Sequence, residues 1–144
     1  MRKFILFASL FLICSTSCNT LESNGPLYDY VDFDYLQIQW EDFFSQEENN
    51  YFVYFYSEQC YYCESFKTDM LNFISITNKN FFLLSYKKGI PIHEDVEMTI
   101  GAVSLDEMWF GGTPSLILLE NKTVKINILG VQNISSYLEL TQLP

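Results

Sequence analysis

At 144 residues, with 49% hydrophobic and 17% aromatic side chains, the chain suits one domain with a sizeable core. Its formal charge of -10 at pH 7, from 18 acidic against 8 basic residues, excludes a nucleic-acid partner, because phosphate binding relies on clustered Lys and Arg that the sequence lacks. The acidic residues Asp29, Asp32, Asp34, Glu41, Asp42, Glu47 and Glu48 read as solvated faces that promote solubility.

In chain order, the first element is an address. Arg2 and Lys3 supply a positive start, Phe4 to Ile13 a short apolar run, and Ser15-Thr16-Ser17-Cys18 small residues ahead of a cysteine. The apolar run is about half the ~20 residues that span a bilayer, so it reads as a secretory signal rather than a permanent transmembrane helix. The segment resembles a bacterial lipoprotein signal peptide, with Ser15 standing where such signals usually carry an aliphatic residue. The resemblance implies a signal over residues 1–17 and lipidation of Cys18 as the first mature residue. Asn19 to Pro26 is polar and closes on Gly25-Pro26, the composition of a flexible tether. We draw that tether over residues 18–34 and a folded domain over 35–144.

Within the domain, Tyr35 to Gln39 is expected as a short strand and Trp40 to Glu48 as a helix burying Trp40, Phe43 and Phe44. Tyr51 to Tyr56 is six consecutive aromatic or β-branched residues, the pattern of a strand covered on both faces. From Cys63 the apolar positions Phe66, Met70, Leu71, Phe73 and Ile74 alternate with Glu64, Lys67, Thr68, Asp69 and Asn72 as an amphipathic helical stripe, so a helix starts at or near Cys60. Phe81 to Tyr86 is a second unbroken strand, and the three elements make a βαβ unit. The stretch from Tyr86 to Pro114 is too long for a bare loop. Its apolar residues show no clean period, which leaves a helix or an irregular insert. Ser115 to Leu119 gives a buried strand, and Thr123 to Leu129 alternates Val124, Ile126 and Ile128 with polar residues, so the two read as an antiparallel hairpin. Beyond Gly130, Asn133 to Leu140 reads as a terminal helix with Ile134, Tyr137 and Leu138 inward.

The chemistry concentrates at Cys60-Tyr61-Tyr62-Cys63, where strand gives way to helix. A cysteine at a helix start sits among unpaired backbone N–H groups and the positive end of the helix dipole, both of which favour thiolate over thiol. With Cys14 leaving in the signal and Cys18 lipidated, Cys60 and Cys63 are the only thiols of the exported domain. A disulfide across so short a loop removes little unfolded-chain entropy, so stapling is a weak reason for the pair. Tyr61 and Tyr62 form an exposed aromatic contact surface beside it. Zinc would need about four strong ligands, and His93 is the one further N or S donor of the mature chain; no metal and no cofactor is expected. Covalent haem needs His after the second cysteine, where Glu64 stands. Glu58 reads as an exposed loop carboxylate and His93 as a surface loop residue.

A CxxC after a buried strand, followed by Gly112-Thr113-Pro114 ahead of a β-β-α ending, resembles the thioredoxin superfamily over residues 35–144. The resemblance implies an α/β domain, a central mixed β-sheet flanked by helices, with an insert before the strand headed by a cis proline. It also implies Cys60 as nucleophile, Cys63 as resolving thiol, Pro114 cis against the dithiol, and Thr113 contacting substrate with Tyr61 and Tyr62 nearby. Tyr54 occupies the place where cytosolic thioredoxins carry a buried Asp, and Gln59 and Tyr61-Tyr62 replace their Trp and Gly-Pro, so the likeness is to the superfamily rather than to cytosolic thioredoxin. The expected function is an extracytoplasmic, membrane-tethered thiol-disulfide oxidoreductase acting on exported protein thiols and disulfides, recycled by a membrane redox partner, and held at the cell surface or in the periplasm by its lipid. The alternative is a surface lipoprotein that uses the fold as a binding module, with a static Cys60–Cys63 disulfide.

Overall fold

The computed structural model describes residues 27–142; the expected signal segment and Cys18 lie outside them. Four strands form one sheet in the order β2-β1-β3-β4: β1 (Asn50–Tyr56), β2 (Phe81–Ser85), β3 (Ser115–Glu120) and β4 (Thr123–Leu129). β1 and β2 are parallel and joined by helix α1 (Tyr61–Ile76), while β3 and β4 are antiparallel to their neighbours and lead to helix α2 (Val131–Gln142). The mixed sheet flanked by helices is the expected α/β architecture.

β1 is central, and its side chains alternate between two cores. Phe52, Tyr54 and Tyr56 face α1 and α2, meeting Phe66, Met70, Leu71, Ile134 and Leu138; Tyr51, Val53 and Phe55 face the other way. No α-helix covers that second face among the described residues. Aromatic and apolar anchors from two irregular segments fill it: Phe43 from the N-terminal side, and Ile90, Ala102, Met108 and Phe110 from the insert. This explains the missing period in 87–112, since each anchor enters the core singly. The insert holds only two short 3-10 turns, Val96–Thr99 and Leu105–Glu107. Its ends are clipped together, His93 N–H donating to Phe110 O (2.9 Å) and Phe110 N–H to Pro91 O (3.1 Å). Its middle lies along β4, with Gly101 N–H to Val124 O (2.8 Å) and Val124 N–H to Ala102 O (3.0 Å).

Asn127 fastens the insert a second time, its amide donating to Thr99 Oγ1 (3.0 Å) and Trp109 O (3.1 Å). Replacing Asn127 with Ala leaves those acceptors without their donor, and an unfolding free energy lower by about 1–3 kcal/mol is expected from denaturant titration. A loss under ~0.5 kcal/mol would mean the insert is held by its apolar anchors alone.

Three expectations change at the N-terminal side. Tyr35 to Gln39 is not a strand: Asp29 caps a 3-10 helix over Tyr30–Leu36, accepting from Tyr30 N–H (2.7 Å) while its own N–H donates to Asp32 (2.8 Å). Of the expected strand there remains one bridge, Gln37 to Leu83. Trp40 to Glu48 is not an α-helix either; it stops after the 3-10 turn Trp40–Asp42, where the Ser45 hydroxyl and Gln46 amide both take the Asp42 carbonyl (3.2 and 2.7 Å) in place of a continuing ladder. The buried residues are nevertheless the expected ones, Phe43 fully and Trp40 and Phe44 in part. Finally, Tyr30 and Phe33 are buried in the α1-side core, so residues 30–34, drawn above as tether, pack as part of the domain.

Candidate active site

β1 ends at Tyr56, a three-residue turn follows, and Cys60 becomes the N-cap of α1 with extended backbone (φ -91°, ψ 117°). An N-cap side chain normally offers oxygen to the orphan N–H groups of the first turn. Here sulfur does so: Cys63 N–H donates to Cys60 Sγ at 3.3 Å. Cys63 then falls on the inward face, fully buried, with Phe66 and Met70 continuing the stripe.

The opposite wall is the loop before β3. The Thr113–Pro114 peptide is cis, and the Cys60 thiol donates to Thr113 O at 3.3 Å. The Ser115 hydroxyl donates to Gly112 O (2.7 Å) and Gly130 N–H to Pro114 O (2.9 Å), tying the loop to its own strand and to the β4–α2 junction. Gly111 is required by close packing: a Cβ there would stand 2.9 Å from Val96 Cγ1 and 3.0 Å from Leu129 Cδ2.

The two thiols differ in acidity. Burial alone raises Cys60, but hydrogen bonds to its sulfur from the Cys63 thiol and the Thr113 side chain, joined by the backbone N–H groups of Cys63 and Tyr62, outweigh that, and the net direction is below the ordinary thiol value. Cys63 is pushed up to about 12, first by burial and then by the hydrogen bond it shares with Cys60. The partly exposed sulfur is thus the more readily ionised of the two, and the buried one three residues on is held as thiol. The arrangement can attack a disulfide through the first and resolve the product through the second.

A groove of about 530 Å³ runs beside the dithiol between Tyr62, Thr113 and Pro114 on one side and Leu129, Gly130 and Val131 on the other. Tyr62, Thr113 and Pro114 therefore meet in one place. Tyr61, 79% exposed, does not line the groove and stands against the Tyr62 ring at 5.7 Å. Glu58 and His93 are exposed, the His93 ring resting against Trp109. Among the described residues, no three His, Cys, Asp or Glu side chains are grouped to hold a metal ion, and no helix is long and apolar enough to cross a membrane. Sequence reasoning missed the groove's Leu129-Gly130-Val131 wall. Its one signal was Gly130, which separates a strand from a helix and adopts φ 89°.

Together these features define an α/β dithiol domain in which a CxxC helix start faces a cis-proline loop. No family model matches the sequence, and no curated protein matches it. Solved structures do: thioredoxin f2 from Chlamydomonas reinhardtii superposes with a TM-score of 0.51 at 18% identity, over 76% of this chain and 97% of that one. Thioredoxin from Aeropyrum pernix (TM-score 0.48, 17% identity, 73% and 82% coverage) and mitochondrial thioredoxin 3 from Saccharomyces cerevisiae (0.47, 12%, 74% and 93%) are also similar. The chain has a thioredoxin-like fold.

Proposed function

We propose that the protein is an extracytoplasmic, membrane-tethered thiol-disulfide oxidoreductase that exchanges disulfides with exported proteins. The observation that carries the exchange chemistry is the asymmetry of the pair, Cys60 lowered and part-exposed against Cys63 raised and buried. The Cys60 thiolate attacks a substrate disulfide, one substrate sulfur leaves, and a mixed disulfide forms; Cys63 then attacks Cys60 and releases the second substrate sulfur. Run in reverse, the same steps oxidise a substrate dithiol. Substrate chain lies in the Tyr62–Pro114 groove, with Thr113 beside it and Tyr61 as an outer contact. Export and anchoring rest on the signal-like N-terminus and on Cys18. A membrane redox partner returns the Cys60–Cys63 pair to its starting state after each turnover.

Cys63→Ser tests this reading, because it stops the second step while leaving the first. In cells producing the full-length protein, the variant is expected to accumulate mixed disulfides with exported proteins that vanish when Cys60 is also replaced. Identification of those proteins gives substrate and direction together. If no Cys60-dependent adduct forms, and the purified dithiol exchanges with no added disulfide, the protein is instead a binding module with a static bond.

A further inference from the structure

Beneath Cys63 lies a stack of three tyrosines. Tyr54 comes from the middle of β1 and is fully buried; Tyr30 reaches in from the capped 3-10 helix and is 7% exposed. Tyr56 lies between them, its ring 3.7 Å from Tyr30 (18° between planes) and 6.1 Å from Tyr54 (8°). The Tyr56 hydroxyl is engaged, accepting from the Gln37 amide at 2.8 Å. The hydroxyls of Tyr30 and Tyr54 are different. They approach each other closely enough for at most one weak hydrogen bond, Tyr54 donating to Tyr30, and both lie near Cys63 in the same core, yet neither meets full hydrogen-bond geometry with any partner among the described residues.

Packing does not account for those two oxygens. The surrounding core is Phe, Met, Leu and Ile, in which Phe would supply the same ring at both positions without burying an unpaired polar atom. A weak bond between the two leaves the Tyr30 donor free and the Tyr54 donor easily released, and donors so placed in the core that holds the buried thiol call for an acceptor that is present during only part of the working cycle. A Cys63 thiolate is such an acceptor.

We propose that the Tyr30 and Tyr54 hydroxyls are a reserved donor pair that hydrogen-bonds the Cys63 sulfur as it becomes a thiolate during resolution of the mixed disulfide. The proposal rests on the exchange reading above. In the step concerned, Cys63 loses its proton and its thiolate attacks the Cys60 sulfur. The Cys60–Cys63 bond forms, the bond from Cys60 to the substrate sulfur breaks with its electron pair, and that sulfur takes up a proton equivalent to the one Cys63 released. The substrate disulfide is the oxidant and the dithiol the reductant. The tyrosines neither gain nor lose a proton: burial raises both phenols, and they serve as neutral donors.

The groups facing this pocket are few. Cys60 caps α1, Tyr54 and Tyr56 come from β1, and Tyr30 comes from the N-terminal helix, with Lys67 Nζ 5.8 Å from its ring centroid. Lys67 is itself paired with Glu64 at 3.0 Å and Asp29 at 3.4 Å, one cation against two carboxylates, and Glu58 and Asp34 face Tyr56, so the surrounding charge is net negative and supplies no cation to hold a Cys63 thiolate.

The test compares Tyr54→Phe, Tyr30→Phe and the double variant with the parent full-length protein, using Tyr56→Phe as a control for loss of a hydroxyl already engaged. Two readouts are taken. One is the rate at which a preformed mixed disulfide on Cys60 resolves. The other is the pH profile of iodoacetamide alkylation at Cys63 in a Cys60→Ala background, located by peptide mass, which follows the thiolate fraction and needs no turnover. Each Phe variant at 30 or 54 is expected to slow resolution by about tenfold and to move the Cys63 profile to higher pH, the loss of a hydrogen bond to a charged group. The same variants should melt at higher temperature than the parent, because an unpaired hydroxyl has left the core; Tyr56→Phe should leave the Cys63 profile in place. If Tyr30→Phe and Tyr54→Phe melt higher while the resolution rate and the Cys63 profile stay at parent values, the hydroxyls are structural and the proposal fails. Should the parent exchange with no disulfide at all, the functional reading falls, and the alkylation profile still decides the tyrosine pair.

Discussion

Cys60→Ala is expected to lower the rate of disulfide exchange by about a hundredfold or more, with little change in the unfolding midpoint. The thiol that remains in the described domain is Cys63, and a group with a pKa of about 12 is ionised to roughly one part in 10⁵ at pH 7. The greater intrinsic nucleophilicity of a more basic thiolate, with a Brønsted slope of about 0.4–0.5, returns only part of that deficit. Full burial of the Cys63 sulfur withholds more. The pH dependence follows from the same pair. Exchange by the intact protein requires the Cys60 thiolate, so its rate rises with pH as Cys60 ionises and levels off below the ordinary thiol range, because the folded-state value is lowered. Cys63 stays protonated throughout that window. Brief alkylation of the reduced protein at near-neutral pH should accordingly label Cys60 and spare Cys63. Equal labelling of the two, or a Cys60→Ala protein that still exchanges at the parent rate, would contradict the assigned roles.

Phe110→Ala should be the costliest single truncation on the face of the sheet that lacks a helix. The ring is fully buried and stacks on Phe55 with centroids 3.9 Å apart and planes 17° apart, while Phe43 and Trp40 close on it at 5.8 and 5.7 Å. Removing a buried Phe costs about 3–5 kcal/mol, and at least three aromatic contacts go with it. Against a total stability of about 5–15 kcal/mol for a domain of this size, that is a large fraction. The backbone of Phe110 is also the clip that closes the insert on Pro91 and His93. Chemical denaturation should therefore show a lower midpoint, and amide exchange should accelerate along residues 90–110 before it does in α1. A cost below ~1 kcal/mol would mean that the insert merely rests on the sheet.

What the residues disclosed in advance depended on how many of them act together. β1 was readable because six consecutive aromatic or β-branched residues allow few other outcomes, and α1 because Cys63, Phe66, Met70, Leu71, Phe73 and Ile74 all end on one buried face. The hairpin was readable for the same reason, with Asn121 and Lys122 (φ 49° and 61°) supplying its tight turn. The N-terminal elements were not, because single side-chain hydrogen bonds decide them: Asp29 starts a 3-10 helix that runs from the expected tether into the expected strand, and Ser45 and Gln46 end a helix after one turn. The insert gave no period because its anchors arrive one at a time from irregular backbone. At the site, CxxC and Thr-Pro were visible as short motifs, and the family resemblance supplied the proline's isomer. The three-tyrosine stack was invisible, since it joins residues 24 and 26 positions apart in sequence through a helix that had been read as tether.

The two outer strands of the sheet have one further consequence. An outer strand normally offers a row of free N–H and C=O groups on which another chain can add itself, the usual starting point of self-association and fibre growth. On β2, Ile38 N–H occupies Leu83 O at 2.9 Å; on β4, the Gly101–Ala102 segment occupies both backbone groups of Val124. The irregular segments that replace a helix on one face thus also blunt both ends of the sheet. A second chain approaching either edge would therefore meet backbone groups already taken at Leu83 and Val124 rather than an unbroken row of free ones.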